Sequence, residues 1–328
     1  MQTVLLDQSA VNANAETSAV ISAVEDAFAA YERGTVQMPV KSYVDLERYN
    51  GDFRSMPAYI DAGEWDAAGI KWVNVHPDNP SEHGLPTVMG TMVYSDPETG
   101  YPLAIMDGTE LTMKRTGAAA AVATDYLAIE DATSLGIVGA GVQSYTQLDA
   151  IAAVRPIEDV VVADTNSERV QAFIDAFEDR FSVVEGTIAD AAACDVLSTV
   201  TPVDSPIVEH SVVGSHTHIN AMGADAAGKQ ELTEDLLLES TVVIDDYGQT
   251  THSGEINVPW REGTFSDEHI YGELGEIVAG KKSGRTDDDG ITVFDSTGLA
   301  IQDIAAAHVV YEHAIDRENG SRFELINS

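Results

Sequence analysis

The sequence predicts an α/β protein whose middle part forms a parallel sheet covered by helices on both faces. Two observations predict this class. Between residues 134 and 245, short apolar runs alternate with helical patterns, which is typical of strands joined by crossover helices. Before this part, residues 36–107 carry turn signals such as Asn50-Gly51 and Asp96-Pro97 at short intervals, which favours a mostly antiparallel sheet with one helix.

The part that contains this antiparallel sheet is predicted to begin and end with helices. Residues 16–33 form an amphipathic pattern in which Val24 and Phe28, among others, recur at helical spacing with acidic residues between them. From Thr112 the chain becomes helical again, through an alanine-rich stretch that ends near Ala128.

The middle part alternates regularly. The clearest helix is at 167–179, where Val170, Phe173 and Phe177 share one face. In such a sheet, ligands bind beyond the carboxyl ends of the strands. The other predicted elements are strands at 135–138, 160–163, 182–185, 195–200, 217–221 and 241–244, and helices near 187–193 and 231–239.

A glycine turn joins the first middle strand to its helix. Gly139 permits a sharp turn, and Gly141 lets an anionic group approach the backbone at a helix N-terminus, where amides and the helix dipole favour negative charge. The helix is predicted to open at about Gln143. Ser144 stands where the third glycine of a dinucleotide fingerprint would be, so an ordinary strand-to-helix turn remains an alternative.

An acidic residue follows the next strand. Asp164 lies 23 residues after Gly141, near the offset at which an acid meets the adenosine ribose hydroxyls. A carboxylate there favours NAD because it would repel a 2′-phosphate, although the nearby Arg169 leaves NADP possible. Asp164 can also cap the helix that follows it.

A last helix after Gly298 presents Ile301 and Ile304 on one face, and we expect it to pack on the first part of the chain. The sequence therefore predicts two domains. Residues 1–115 plus 299–328 would form an α+β substrate-binding and dimerisation domain. A Rossmann-type dinucleotide-binding domain of residues 116–298 would be inserted into it.

The charge of the chain is extreme. The 328 residues include 17 Lys and Arg against 55 Asp and Glu, which gives a formal net charge of −38. A cationic partner is one interpretation, but the acids are scattered, and we favour a hydrated acidic surface whose self-repulsion is screened at high salt. The sequence thus predicts a halophilic host.

Several classes of protein are disfavoured. A chain without a basic stripe is a poor ligand for nucleic acid. The single cysteine, Cys194, excludes an intrachain disulfide and has the apolar neighbours of a core residue. The sequence shows no signal peptide and no apolar stretch near the ~20 residues of a membrane span, so we expect a cytoplasmic protein.

Cations in apolar or turn-rich surroundings stand out in so anionic a chain. Lys41, Arg54, Lys71 and Arg115 are the four candidates. A substrate carboxylate needs such groups, and arginine can grip it with two parallel bonds. A lysine among apolar neighbours also tends to have a lowered pKa, which suits proton transfer. A surface ion pair is the alternative for each of them.

Asp225, in Gly223-Ala224-Asp225 at a predicted strand end, can act on a substrate amine or cap the next helix. The pair His216 and His218 suggests a metal, but no third ligand is evident, and we expect none to be bound.

Around these residues lies a series of longer motifs: MPVKSY (38–43), GDFRSMPAYI (51–60), GIKWVNVHPDNP (69–80), GLPTVMG (84–90), DPETGYPLAIMDG (96–108), RTGAAAAVAT (115–124), GIVGAGVQS (136–144), GADAAGKQEL (223–232) and FDSTGLAIQDIAAAHVVY (294–311). Through these motifs the sequence resembles the ornithine cyclodeaminase/μ-crystallin family over nearly its whole length. Within that family it most resembles the archaeal alanine dehydrogenase branch.

The resemblance implies an NAD(P)-linked enzyme that forms a homodimer through its first domain. It assigns carboxylate binding to Lys41, Lys71 and Arg115, and a substrate contact to Arg54. Lys41 departs from the arginine of cyclodeaminases. Asp225 matches the catalytic aspartate of the family, and Lys71 is a second candidate for the catalytic base. The implied cofactor contacts are Thr87, Arg115, Thr116, Gly139, Gly141, Val142, Gln143, Asp164, Thr199, Thr201, Met222, Gly223 and Ser296.

The reaction that the resemblance implies is hydride transfer from the Cα of an amino acid to the nicotinamide, which leaves an imine. We favour hydrolysis of that imine, which is the oxidative deamination of L-alanine. Attack by a distal amine, as in ornithine cyclodeamination, and the reverse step on a cyclic ketimine are the alternatives. A dinucleotide-dependent protein that binds a small ligand without turnover is the non-enzymatic alternative.

Overall fold

The computed structural model describes residues 2–286 and 289–326. The chain divides into two compact units, Met1–Arg115 with Leu299–Ser328, and Thr116–Gly298. Each unit contains one eight-stranded sheet, the first mixed and the second parallel. The predicted α/β class, with a Rossmann-type domain and a second α+β domain, is confirmed.

In the first unit the sheet has the strand order β16-β1-β7-β6-β5-β4-β2, with β3 paired to β4. Neighbouring strands are antiparallel except β1 and β7, which run parallel. The strands are β1 (Thr3–Leu6), β2 (Val36–Gln37), β3 (Ser42–Leu46), β4 (Gly51–Asp61), β5 (Asp66–Val75), β6 (Val88–Ser95), β7 (Pro102–Asp107) and β16 (Ser321–Phe323), and the helices are α1 (Gln8–Asn14), α2 (Thr17–Arg33), α3 (Asn79–Glu82) and α12 (Ala300–Asp316).

The helix α12 covers one face of this sheet. Alternate residues of β4 on that face, Met56, Ala58 and Ile60, are buried, as expected for a strand with one covered side. Gly69 on β5 allows the close approach, because a Cβ there would lie 2.9 Å from Cδ1 of Ile304. The predicted last helix therefore packs on the first part of the chain, as its apolar face indicated.

The second unit is built on a parallel sheet in the order β10-β9-β8-β11-β12-β15-β13-β14. The helix α4 (Gly108–Leu127) begins in the first unit and continues into the second. The other elements are β8 (Ser134–Val138), α5 (Val142–Val154), β9 (Asp159–Ala163), α6 (Ser167–Phe177), β10 (Ser182–Glu185), α7 (Ile188–Ala192), β11 (Val196–Thr199), β12 (His218–Ala221), α8 (Glu234–Leu238), β13 (Thr241–Ile244), α9 (Tyr247–Ser253), α10 (Asn257–Glu262), β14 (Ile270–Glu273), α11 (Leu274–Val278) and β15 (Thr292–Asp295).

The strand order reverses direction between β8 and β11. From β8 the chain moves outward to β9 and β10, and it then returns to place β11 on the other side of β8. Such a reversal opens a crevice beyond the carboxyl ends of the two strands, which is where open α/β sheets bind dinucleotides. Every residue of β11, β12 and β15 is buried, because helices cover both faces of the sheet.

One sequence-based expectation for the second unit was wrong in detail. The helix expected at 231–239 spans only Glu234–Leu238, because Leu232 instead forms an isolated bridge with Val208. The strands β14 and β15 were not predicted. In the part of the chain that the structure describes, no helix is long and apolar enough to cross a bilayer.

Candidate functional site

Lys71 lies at the centre of a buried polar cluster in the first unit. Its strand β5 points the side chain towards α12, and only 1% of the residue is exposed. The ammonium Nζ lies 2.7 Å from Oδ1 of Asp303 on α12 and 3.2 Å from the hydroxyl of Thr112 on α4. Side chains from two other elements, α12 and α4, therefore hold the ammonium of this β5 lysine in place.

Asp303 also binds a second cation of the cluster. Nε of Arg115 lies 3.1 Å from the same Oδ1, and its Nη1 donates to Oε1 of Gln302 at 3.0 Å. Among the residues that the structure describes, Asp303 Oδ2 and Gln302 Nε2 are buried without a hydrogen-bond partner. Because buried polar atoms are nearly always paired, these two atoms mark a polar site with capacity for a ligand or water.

Burial changes the acidity of Lys71. Removal from water is the largest effect and lowers the pKa of its ammonium from 10.5 to about 8. The carboxylate of Asp303 opposes this, whereas the positive charges of Arg115 and Lys41 lower the pKa further. Lys71 can therefore exchange a proton at a pH close to neutrality, which an exposed lysine does poorly.

The structure brings Lys71 and Arg115 together, and Lys41 is near enough for its charge to act on Lys71. Arg54 instead makes a two-pronged ion pair with Asp52 on its own strand, with both distances 3.0 Å, and its guanidinium lies over the ring of Tyr43. The substrate contact expected of Arg54 stays a prediction.

The glycine turn of the second unit lies at the reversal of the strand order. Gly139 has φ of 103°, and a Cβ there would lie 3.0 Å from the carbonyl oxygen of Val200 and 3.1 Å from Cγ2 of Thr201. The positive φ favours glycine at this position, and the space for a side chain is tight.

Gly141, unlike Gly139, has open space beside its Cα. A Cβ there would meet nothing within 4 Å, so the space in front of its backbone is open. Gly141 caps α5, whose first-turn amides at Val142 and Gln143 have no acceptor within the helix. Ser144 stands in the place of the third glycine, and its buried hydroxyl donates to the carbonyl of Gly141 at 2.6 Å. The turn therefore offers an anion site despite the incomplete motif.

Asp164 lies beside this turn. Its Oδ2 accepts the amide of Ala140 at 2.7 Å, and its Oδ1 accepts the amide of Asn166 at 2.8 Å. The residue at the N-cap of α6 is Asn166 and not Asp164. Each carboxylate oxygen keeps further lone pairs, which can accept the hydroxyls of a ribose.

The strand β11 ends at Thr199, and Thr201 follows it two residues later; both threonines bind one buried acid, Glu231. Oε1 of Glu231 accepts the amide and the hydroxyl of Thr201, at 2.8 and 2.6 Å. Its Oε2 accepts the hydroxyl of Thr199 at 2.7 Å and the amide of Gly223 at 2.9 Å. This carboxylate therefore ties together the ends of β11 and β12.

The other predicted cofactor contacts are spread over both units. The amide of Met222 donates to the carbonyl of Thr199 at 3.0 Å, and the hydroxyl of Ser296 donates to Asp245 at 3.3 Å. The carbonyl of Thr116 accepts Nε2 of Gln147 at 3.4 Å. Thr87, just before β6 in the first unit, uses its carbonyl to accept the amide of His76 at 2.8 Å.

Asp225 lies in the loop after β12. Its Oδ1 accepts Nζ of Lys229 at 2.7 Å, and 42% of its side chain is exposed. The alternative that it caps the next helix is wrong, because Thr233 occupies the N-cap of α8.

The histidine pair does not form a metal site in the described part of the chain. His218 is fully buried between the hydroxyl of Thr292, at 2.9 Å, and Asn220. Burial lowers the pKa of its imidazole to about 3, so this histidine is neutral. No group of three potential metal ligands is found among the residues that the structure describes.

Comparison with known proteins identifies the family. The model of the ornithine cyclodeaminase/mu-crystallin family matches residues 1–318. The chain belongs to this family. Within it, the chain is 44% identical to alanine dehydrogenase of Archaeoglobus fulgidus over 326 residues, which cover 99% of both chains. The predicted resemblance, including its archaeal alanine dehydrogenase branch, is confirmed.

Other family members with different names are also similar. A Δ1-pyrroline-2-carboxylate reductase of Bacillus cereus is 35% identical over 293 residues, covering 88% of this chain and 89% of the relative. Among solved structures, an archaeal alanine dehydrogenase dimer with bound NAD has a TM-score of 0.94 and 44% identity, and covers 99% of this chain and 100% of its own. The Δ1-pyrroline-2-carboxylate reductase of Thermococcus litoralis, solved with NADH and L-proline, has a TM-score of 0.92 and 35% identity, covering 97% and 99% of the two chains.

Sequence reasoning missed three residues of two buried polar clusters, one around Asp303 in the first unit and one around Glu231 in the second. Asp303 and Gln302 join the cations of the first unit, and Glu231 joins the strand ends of the second. A signal for the first two exists, because they are polar residues inside the apolar run of a buried helix. Polar residues at such positions need partners, which is a reason to look for buried cations elsewhere in the chain.

Proposed function

We propose that this chain catalyses the NAD-dependent oxidative deamination of L-alanine to pyruvate and ammonia. The observation that carries the proposal is the buried pair of Lys71 and Arg115 on Asp303, in a chain 44% identical to an alanine dehydrogenase along 99% of its length. A small amino acid needs a cation for its carboxylate and a base for its amine, and this cluster supplies both.

The residues of the second unit fit NAD. The open space before Gly141 and the first-turn amides of α5 suit a pyrophosphate, and the carboxylate of Asp164 suits ribose hydroxyls. The related structures that were solved with NAD or NADH support the same cofactor. An acid at position 164 makes NAD the preferred form over NADP.

The chemistry divides simply between cofactor and protein. NAD held by the second unit would supply the acceptor for the hydride of the alanine Cα, and hydrolysis of the resulting imine would give pyruvate and ammonia. Arg115 has five N–H donors, of which two go to Asp303 and Gln302, and others can bind the substrate carboxylate. Neutral Lys71 accepts the proton that the substrate ammonium must lose, and Asp303 stabilises the lysine ammonium that results. Asp225 is the second candidate for this base.

Reduction of a cyclic ketimine is the second candidate function. It is favoured by the 35% identity to Δ1-pyrroline-2-carboxylate reductases, which extends over 88% of this chain. The same residues serve this reaction, because it is a hydride transfer between a nicotinamide and a carbon that carries nitrogen and a carboxylate. Ornithine cyclodeamination belongs to the same group of alternatives.

A direct comparison of substrates tests the proposal. The protein is incubated in molar salt with NAD and L-alanine or L-ornithine, and with NADH and Δ1-pyrroline-2-carboxylate or pyruvate plus ammonium. We expect the alanine–pyruvate pair to have a kcat/KM at least about tenfold above the others. Proline formed from ornithine without net NADH, or faster reduction of the cyclic ketimine than of pyruvate, would refute alanine as the substrate.

We also propose that the protein is a homodimer formed through the outer face of the first sheet. Val44 and Trp72 on this face are 49% and 43% exposed, and the ring of Trp72 stacks on Phe53 at 5.0 Å. Adjacent exposed apolar side chains are typical of interaction surfaces, and one related structure is a dimer. Light scattering should give a dimer for the wild type and a monomer for Trp72→Glu. An unchanged mass for this variant would exclude the face.

A further inference from the structure

Glu231 is a buried acid with an unusual set of neighbours. It has no exposed surface, and each of its two oxygens accepts one backbone amide and one threonine hydroxyl. Gly223 leaves space for this carboxyl group, because a Cβ there would lie 2.3 Å from the carbonyl oxygen of Thr201 and 2.6 Å from Oε2 of Glu231. Burial raises the pKa of Glu231, whereas the four donors around its carboxyl group oppose this and favour the ionised form.

A second buried acid lies beside it. Oε1 of Glu255 accepts the backbone amides of Glu231 and Leu232, whereas its Oε2 has no hydrogen-bond partner among the described residues. Burial is the main reason why the pKa of Glu255 is raised well above its usual value, and the charge of Glu231 adds to it. The nearby charge of Asp295 acts on Glu255 in the same direction. We assign the charge of the pair to Glu231, because Glu231 has four donors and Glu255 has two.

The ionised carboxylate determines how the two threonine hydroxyls point. An ionised carboxylate accepts only, so the hydroxyl protons of Thr199 and Thr201 are turned towards Glu231. The distance of 2.6 Å from Thr201 is that of a charge-assisted bond. Thr201 therefore presents only oxygen lone pairs outward. Its amide is also used by Glu231.

We propose that Glu231 is a positioning residue that makes Thr201 a pure hydrogen-bond acceptor, so that the dinucleotide group bound there is a donor. This inference rests on the proposed function, because it concerns how NAD is held. Thr201 lies beside Gly139 at the reversal of the strand order, where the half of the dinucleotide beyond the pyrophosphate lies. The donors on that half are the ribose hydroxyls and the carboxamide NH₂.

Two matched substitutions test where the charge lies. In Glu231→Gln, the amide NH₂ faces a backbone N–H whichever way it is turned, because each carboxylate oxygen accepts one. We expect this variant to bind NADH about 10- to 100-fold more weakly, from the loss of a buried hydrogen bond. Glu255→Gln replaces a neutral carboxyl group by a neutral amide of the same shape, and should bind NADH within about twofold of the wild type.

The measurement is a fluorescence titration with NADH in molar salt, with ADP as a competing ligand. ADP carries the adenosine half and both phosphates but lacks the nicotinamide riboside, which holds the donors assigned to Thr201. Glu231→Gln should therefore keep its ADP affinity while its NADH affinity falls. Equal losses for both ligands would mean a general disturbance of the unit and would overturn the positioning role. So would a loss in Glu255→Gln as large as that in Glu231→Gln.

Substitutions of the threonine test the acceptor. Thr201→Ser keeps the hydroxyl and should bind NADH like the wild type, whereas Thr201→Val should bind it about tenfold more weakly. The 3-acetylpyridine analogue of the cofactor lacks the carboxamide NH₂. An equal effect of Thr201→Val on the analogue assigns the donor to a ribose hydroxyl, and a smaller effect assigns it to the carboxamide.

Two further results would overturn the inference and leave the proposed function standing. These are NADH affinity in Thr201→Val equal to that of the wild type, and NADH affinity in Glu231→Gln equal to that of the wild type. A wild-type protein that binds no NADH would instead refute the proposed function itself.

Discussion

Replacing Asp303 by asparagine should move the pH dependence of turnover. In the native protein Asp303 is fully buried, and its Oδ1 lies 2.7 Å from Nζ of Lys71 and 3.1 Å from Nε of Arg115. The carboxylate raises the pKa of Lys71 against the stronger effect of burial, and the result is a pKa of about 8. Asp303→Asn removes the opposing charge, so the pKa of Lys71 should fall further.

The size of this shift follows from the geometry. A buried hydrogen bond to a charged group contributes about 1.5 to 3 kcal/mol, and one pKa unit corresponds to about 1.4 kcal/mol. The pKa of Lys71 should therefore fall by about one to two units in Asp303→Asn. If Lys71 is the base, activity rises with pH through this pKa, and the rising limb of kcat/KM should move to lower pH by the same amount.

The assay is the pH dependence of kcat/KM for alanine oxidation with saturating NAD in molar salt. Glu110→Gln is a matched control, because it removes a carboxylate from α4 that pairs with Lys114 at 3.7 Å and not with Lys71. Thr112→Val, which removes the weaker acceptor at 3.2 Å, should shift the limb in the same direction but less. Thr112→Val is the variant to be measured if Asp303→Asn does not fold. A limb that stays in place or moves to higher pH in the folded variants would refute the role of Lys71 as the base.

Three further predictions concern the two clusters and the surface. Lys71→Ala should reduce alanine turnover by at least about 10²-fold through loss of the base while NADH affinity is retained, and a near-normal rate would remove Lys71 from the mechanism. Asp164→Ala should weaken NAD binding more than NADP binding because the acid no longer accepts ribose hydroxyls, and an unchanged ratio of the two dissociation constants would contradict that assignment. With a formal net charge of −38, the protein should melt at a lower temperature in dilute buffer than in molar salt, and equal melting temperatures would disprove the halophilic interpretation.

Much of the second unit was predictable because its signals are local. Gly139 with φ of 103° needs glycine for reasons visible within a few residues, and the strand before it is an apolar run of the expected length. The strand β15 (Thr292–Asp295) was missed because its evidence is not local. It pairs with β12 and β13, and its place between them is decided by the parallel sheet and not by its own four residues.

The candidate site shows the same division. Lys71 and Arg115 attracted attention as cations in apolar sequence, but their partner Asp303 lies 232 residues from Lys71. The partner of Arg54 is local, because Asp52 lies two residues before it on the same strand, whereas the partner of Arg115 is Asp303 on a distant helix. Which charges meet depends on which faces of distant elements pack together.

The sequence by itself determined the family, the fold class and the glycine turn, because apolar periodicity, turn residues and motifs act over short stretches of chain. Only the tertiary structure decided that one carboxylate, Asp303, holds two cations, and that another, Glu231, holds two strand ends. The physical reason is desolvation. An acid or a lysine acquires an unusual proton affinity and a fixed direction only when folding removes it from water beside a partner from elsewhere in the chain.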